Sequence, residues 1–200
     1  TRATTGAGTG FDWDTVANSW LGPVARRSIT LLDKTTLDVT RFGSDELKRE
    51  FLVPTLAGEL VCSIGVSEPG AGSDVAGITT RARRDGDDWV INGRKMWITS
   101  GTQSDWICLL ARTSDEGGYQ GMSMIIVPTS TPGFSVGRKL KKMGNHSSDT
   151  AELVLDDVRV PVERVGIEGN LGVEALQLAV GGDDQRVDLE HLHVLRHEGI

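Results

Sequence analysis

The chain has 200 residues, with 21 basic and 28 acidic side chains and a formal net charge of -7. That length suits one or two domains with a real core, and the acidic balance gives no support to nucleic-acid binding. No apolar run is long enough to span a bilayer and no signal-peptide pattern opens the chain, so a cytoplasmic location is expected; a mature mitochondrial-matrix protein also fits.

Thr1, standing where a Met would, points to a missing or processed N-terminus, and Thr1–Gly10 is a loose lead-in rich in Thr, Gly and Ala. From Phe11 to Val39 the apolar spacing allows helix, broken at Gly22-Pro23. A clearer helix starts at Ser44, which can cap it, with acidic residues in the first turn and a stripe of Leu47, Phe51 and Leu52. The residue before a proline disfavours helical backbone, so this helix is predicted to stop before Pro54.

After Gly58 the pattern changes to strands: Leu60–Ser67, Ile78–Arg84, Trp89–Asn92, Lys95–Ser100, Trp106–Arg112, Met122–Val127, Gly133–Leu140, Ala151–Leu155 and Val158–Val160. Asp85-Gly86-Asp87-Asp88 is a hairpin signal. Short strands punctuated by Gly, Asp and Pro argue for an antiparallel β-barrel or sandwich. The 25 glycines, well above average usage, fit the many turns between them. Helix is expected again at Gly172–Val180 and Asp188–His197, separated by Gly181-Gly182-Asp183-Asp184. The expected fold class is α+β: an N-terminal helical piece over 1–58, a β domain over 59–165, and the start of a helical region over 166–200. Cys62 and Cys108 lie inside apolar runs and read as buried thiols of a reducing compartment.

Two stretches carry the chemical signal. From Cys62 to Ser67 the chain alternates, with Cys62, Ile64 and Val66 on one face and Ser63, Gly65 and Ser67 on the other. A face of very small groups can admit something flat, and the glycines that follow Pro69 let backbone N–H groups point outward, as in loops that hold an anion or a carbonyl. Taken alone, the pattern also fits an ordinary strand ending in a Pro-Gly turn. Further on, Met96-Trp97-Ile98-Thr99-Ser100 places Trp97 and Thr99 on one face and Met96 and Ile98 on the other. An aromatic plate two residues from a hydroxyl suits a wall for a planar, hydrogen-bonding ring; a core Trp beside an edge Thr is the plainer alternative. The four histidines, His146, His191, His193 and His197, form no metal pattern, and no metal is expected.

Ser67-Glu68-Pro69-Gly70-Ala71-Gly72-Ser73-Asp74 and Ile91-Asn92-Gly93-Arg94-Lys95-Met96-Trp97-Ile98-Thr99-Ser100-Gly101 are followed, in order, by Pro132-Gly133-Phe134, Lys142-Met143-Gly144, Ser148-Asp149-Thr150 and Asp157-Val158-Arg159-Val160-Pro161. Together these resemble the acyl-CoA dehydrogenase family, from about Phe42 to Gly172. The resemblance implies FAD held by a middle β domain, and oxidation of an acyl-CoA to the 2-enoyl-CoA by α-proton abstraction and β-hydride transfer. It implies that Val66 and Ser67 meet the pyrimidine edge of the flavin, that Trp97 and Ile98 flank the ring, and that the Thr99 hydroxyl reaches N5. Ser73 is implied in both cofactor-phosphate and acyl-CoA binding. Ile64 stands where the family often has an aromatic. Glu68 and Asp74 are implied as loop-fixing groups in place of the base.

The implied partners are an acyl-CoA substrate, an electron-transfer flavoprotein as acceptor, and further copies of the chain, usually in a homotetramer. Most of the family carries its catalytic Glu in a C-terminal helical bundle that is missing from these 200 residues. A subgroup carries it earlier, and Asp188-Leu189-Glu190-His191-Leu192 resembles that segment, which makes Glu190 the implied base, with His191 in place of the expected Arg. Counted without the insertion at Gly181–Val187, Asp183 or Asp184 takes the position. A non-catalytic fragment or degenerate paralogue, and a related flavin monooxygenase or nitroalkane oxidase, are the competing functions.

Overall fold

The structure, a computed structural model, describes residues 39–40, 42–118 and 120–167. The helices expected at Gly172–Val180 and Asp188–His197, and the candidate bases Glu190, Asp183 and Asp184, lie outside the described residues, as do residues 1–38 of the expected N-terminal helical piece.

Ser44 caps the first helix as expected: its side chain accepts from the Leu47 N–H at 3.3 Å. The helix does not stop before Pro54. It runs as α1 (Asp45–Leu47), a wide π turn (Lys48–Leu52) and α2 (Val53–Ala57), ending at Gly58 with φ 79°. The Val53 N–H reaches back to the Lys48 carbonyl, so the turn is widened just where the Pro54 ring would strike the preceding turn, and Pro54 falls at the start of α2, where its missing N–H is least needed. Leu47, Phe51 and Leu52 are buried, as their spacing requires.

Eight strands follow: β1 (Cys62–Gly65), β2 (Arg81–Asp85), β3 (Asp88–Thr99), β4 (Trp106–Arg112), β5 (Met122–Pro128), β6 (Phe134–Lys139), β7 (Thr150–Pro161) and β8 (Val165–Ile167). They form one sheet in the order β6-β7-β3-β2-β4-β5-β8, with β1 added beside β4. Most pairs are antiparallel, but β1 runs parallel to β4, and β2 touches β4 in parallel at Arg81 and Arg112. The α+β class fits.

Two pairs of expected strands are single strands. Trp89–Asn92 and Lys95–Ser100 join in β3, and Ala151–Leu155 and Val158–Val160 join in β7, because β-bulges absorb the breaks in alternation. At one bulge Asp157 takes φ 52° and is held by Asn92, which donates to its carboxylate at 2.9 Å and accepts from its N–H at 3.0 Å.

The apolar runs of β4 and β5 are buried on both sides. Trp106, Cys108, Leu110, Met122, Met124 and Ile126 face the helix; Ile107, Leu109, Ala111, Ile125 and Val127 pack on the other side against core residues of β2, β3 and β7. The two layers meet through Trp106, whose ring lies 5.5 Å from that of Phe51 and whose Nε1 donates to Thr55 Oγ1 at 2.9 Å. Cys62 and Cys108 are buried and are not joined in a disulfide.

Candidate flavin-binding site

The end of β1 meets the middle of β3. The Met96 N–H donates to the Ser67 carbonyl at 2.8 Å, which sets the Val66–Ser67 backbone beside the segment that carries Trp97 and Thr99. Chain order alone could not establish that neighbourhood.

The small face of β1 admits the protein itself, not a ligand. A Cβ on Gly65 would lie 2.6 Å from Ile107 Cδ1, and the buried Ser63 donates to Ser104 at 3.2 Å. The missing side chain at Gly65 leaves room for the Ile107 side chain of β4. Ile64 and Val66, on the other face, pack against the helix-side core. What faces outward begins at Ser67.

Past Ser67 the chain turns tightly. The Glu68 N–H donates to the Ala71 carbonyl at 2.7 Å, and the Ala71 N–H returns the bond at 3.2 Å. Ala71, Val75 and Ile78 pin the loop into the core, while Pro69, Gly70, Gly72, Ser73 and Asp74 are exposed. Added Cβ atoms at Gly70 and Gly72 would meet nothing within 4 Å, and neither glycine has positive φ. The space over this turn is therefore open to a bound group.

Glu68 anchors the turn from beneath. Its carboxylate accepts from the Thr79 N–H (2.7 Å), Thr79 Oγ1 (2.8 Å), the Thr80 N–H (2.9 Å) and Lys95 Nζ (2.9 Å). Lys95, whose side chain is 0% exposed, also donates to the Val66 carbonyl at 3.0 Å. Burial pushes the Glu68 carboxyl up, but the Lys95 ammonium and the Thr80 and Thr79 hydrogen bonds outweigh it and hold the pKa at about 2. Burial pushes Lys95 down to about 8 against the pull of the Glu68 carboxylate. At neutral pH both are charged. Glu68 thus fixes the loop, as expected. Asp74 contributes through its backbone carbonyl, which accepts from the Gly77 N–H at 3.2 Å, and its side chain is exposed.

Thr80 reaches Glu68 only because β3 has no side chain at Gly93. A Cβ there would run into Thr80 Oγ1 and lie 2.7 Å from Thr80 Cα.

In β3 the alternation resets at the bulge between Lys95 and Ile98. Lys95 and Met96 are consecutive buried residues, and Trp97, in the left-handed region at φ 65°, turns outward and is 65% exposed. Thr99 is exposed on the same side, and Ile98, 3% exposed, is a core residue that leaves only its backbone for a ligand. The following turn is clamped by Asp149. Its carboxylate accepts from the Thr102 N–H and Oγ1, each at 2.7 Å, and from Gln103 Nε2 at 2.8 Å. The Asp149 carbonyl accepts from the Ser100 N–H at 3.3 Å.

Of the candidate residues, the structure brings the Val66–Ser67 backbone beside the stretch of β3 that leads into Trp97, with Thr99 two residues farther on. Ser73 lies farther along the exposed loop. Lys95, Thr79, Thr80 and Gly93 support the site without any role assigned to them by the sequence. The available signal was a lysine directly before the Met96-Trp97-Ile98 run.

The profile of the acyl-CoA dehydrogenase middle domain matches residues 63–158. Residues 63–158 are a middle domain of the acyl-CoA dehydrogenase family. Among relatives of this acyl-CoA dehydrogenase domain, a probable acyl-CoA dehydrogenase of Mycobacterium leprae is 45% identical over 131 residues, 65% of this chain and 33% of that protein. The cyclohexane-1-carbonyl-CoA dehydrogenase of Syntrophus aciditrophicus is 51% identical over 117 residues, 58% of this chain and 29% of that protein. A glutaryl-CoA dehydrogenase of Mycobacterium smegmatis, solved in complex with FADH2, superposes with TM-score 0.65 at 39% identity, over 73% of this chain and 36% of that one. The chain spans about a third of the length of the curated relatives it matches.

Proposed function

We propose that the chain is part of an FAD-dependent acyl-CoA dehydrogenase that oxidises an acyl-CoA thioester to the 2-enoyl-CoA. The single observation that carries this is the convergence of two outward groups on one patch: the Ser67 backbone and the exposed indole of Trp97, linked by the bond from the Met96 N–H to the Ser67 carbonyl. That patch fits the group. An exposed aromatic wall, an adjacent backbone edge and an open glycine turn can receive a planar ring with a hydrogen-bonding rim and a phosphate tail. The FADH2 bound by the similar glutaryl-CoA dehydrogenase supports the choice of cofactor.

When bound, FAD supplies the acceptor for a hydride from the substrate β-carbon. The chain's own residues bind and orient. Backbone donors at Val66 and Ser67 favour negative charge at the ring edge, Trp97 covers a ring face, the Thr99 hydroxyl offers a donor, and Ser73 serves phosphate or thioester binding. The acidic α-proton goes to a carboxylate, for which Glu190 is the candidate. Residues 59–165 form the flavin-binding domain between helical regions at 1–58 and 166–200. An electron-transfer flavoprotein takes the electrons, and further copies of the chain complete the assembly.

The purified 200-residue chain is mixed with FAD, freed of excess ligand by gel filtration, and exposed to a series of acyl-CoA thioesters without oxygen. Retained flavin absorbance that bleaches with at least one acyl-CoA is the expected result. Protein that emerges colourless overturns the flavin site, and retained flavin that no acyl-CoA bleaches overturns the dehydrogenase.

A further inference from the structure

Lys95 is a fully buried ammonium with two partners, the Glu68 carboxylate at 2.9 Å and the Val66 carbonyl at 3.0 Å. The carboxylate explains why a charge can be buried here. The bond to Val66 has a further consequence. The described backbone has no cis peptide, so the carbonyl of Val66 and the N–H of Ser67 point in opposite directions across one rigid plane. A carbonyl drawn inward to the ammonium therefore turns the Ser67 N–H away from it. That N–H finds no acceptor among the described residues, whereas the Ser67 carbonyl is taken by Met96 at 2.8 Å. The peptide is held at both ends, with its donor left over.

We propose that Lys95 is a positioning residue: it fixes the Val66–Ser67 peptide so that the Ser67 N–H is presented to the flavin edge, and it places a buried positive charge behind that donor. This deepens the flavin-site reading and rests on it. A preset donor backed by a cation favours a ring edge that gains negative charge on reduction, so the pair acts on the reduced cofactor more than on the oxidised one. Glu68 has a different part. It lets Lys95 stay charged inside the protein and ties it to Thr79 and Thr80.

The two roles separate by substitution. Lys95→Met keeps the length and removes the donor and the charge; Glu68→Gln keeps Lys95 and its bond to Val66. With FAD bound, Lys95→Met weakens the binding of reduced relative to oxidised flavin by about tenfold, which lowers the two-electron potential by about 30 mV. Glu68→Gln destabilises the fold and lowers the potential by less than Lys95→Met does, because the Lys95 side chain still holds the Val66 carbonyl. Equal falls in both variants, or none in Lys95→Met, overturn the proposal.

Amide exchange in the unsubstituted chain decides the matter even if Lys95→Met does not fold. Without FAD the Ser67 amide exchanges rapidly while the Met96 amide is protected, and FAD protects Ser67. A Ser67 amide already protected without FAD overturns the proposal. Failure to bind FAD at all would instead overturn the flavin site, leaving the exchange pattern of the free chain as the reading of the peptide's orientation.

Discussion

Lys95→Met should unfold much of the stability margin of this domain. In the native structure the Glu68 carboxylate accepts four hydrogen bonds, of which Lys95 supplies one. The substitution leaves three donors facing a carboxylate that is 4% exposed and has lost its counter-charge, and it strips the Val66 carbonyl of its partner. Breaking a buried pair by removing one member costs about 3–5 kcal/mol, against about 5–15 kcal/mol of total stability for a typical domain. Glu68→Gln leaves an ammonium with weaker acceptors and should cost a similar amount. The double variant Glu68→Gln/Lys95→Met removes both charges, and so should cost less than the sum of the single changes by about 2 kcal/mol. Urea unfolding followed by tryptophan fluorescence gives the three differences from the midpoints at constant slope. Costs that add to within about 0.5 kcal/mol would refute the argument, because they would mean the two charges do not support each other.

The same pair predicts an acid limit. Glu68 has a folded pKa near 2 against an ordinary value of 4.5, so below pH 4.5 the unfolded chain binds the proton first. Its contribution is complete above that pH and is lost as the pH falls toward 2. Urea midpoints should fall over that window, and Glu68→Gln should flatten the fall. Gly93→Ala should cost about 2 kcal/mol or more, because its Cβ would lie 2.7 Å from Thr80 Cα and would push away the Thr79–Thr80 segment that holds Glu68; a cost under about 0.5 kcal/mol in the same urea assay would contradict this. Asp149→Ala should lose about 2–3 kcal/mol and speed amide exchange at Thr102, since its carboxylate alone accepts three bonds from the turn after Thr99. Unchanged exchange at Thr102 would count against the clamp.

Much of this architecture is legible where one local rule acts alone. A continuous apolar run predicts β4 to its end residues, and alternation predicts the outward face of Trp97 and Thr99. Legibility failed where tertiary packing overrides a local rule. Pro54 reads as a helix stop, but the π turn over Lys48–Leu52 carries the helix through it. Gly93 and the Leu155–Val158 interval read as strand breaks, but bulges keep β3 and β7 whole. The small groups of β1 read as room for a ligand, whereas Ile107 fills the space at Gly65. Within the site, Trp97 and Ser67 could be named from the sequence. Lys95 could not be given its place, because its partners Val66 and Glu68 come from another strand and loop, and no periodicity encodes that distance.

In the proposed function, FAD lies against Trp97 beside Ser67. Fluorescence titration of the chain with FAD, compared with Trp97→Phe, tests it most directly. Trp89 and Trp106 are buried in the core and serve as internal references. FAD should quench the tryptophan emission of the unsubstituted chain, and Trp97→Phe should still bind FAD while losing most of that quench. A quench of equal size in both proteins would place the cofactor elsewhere.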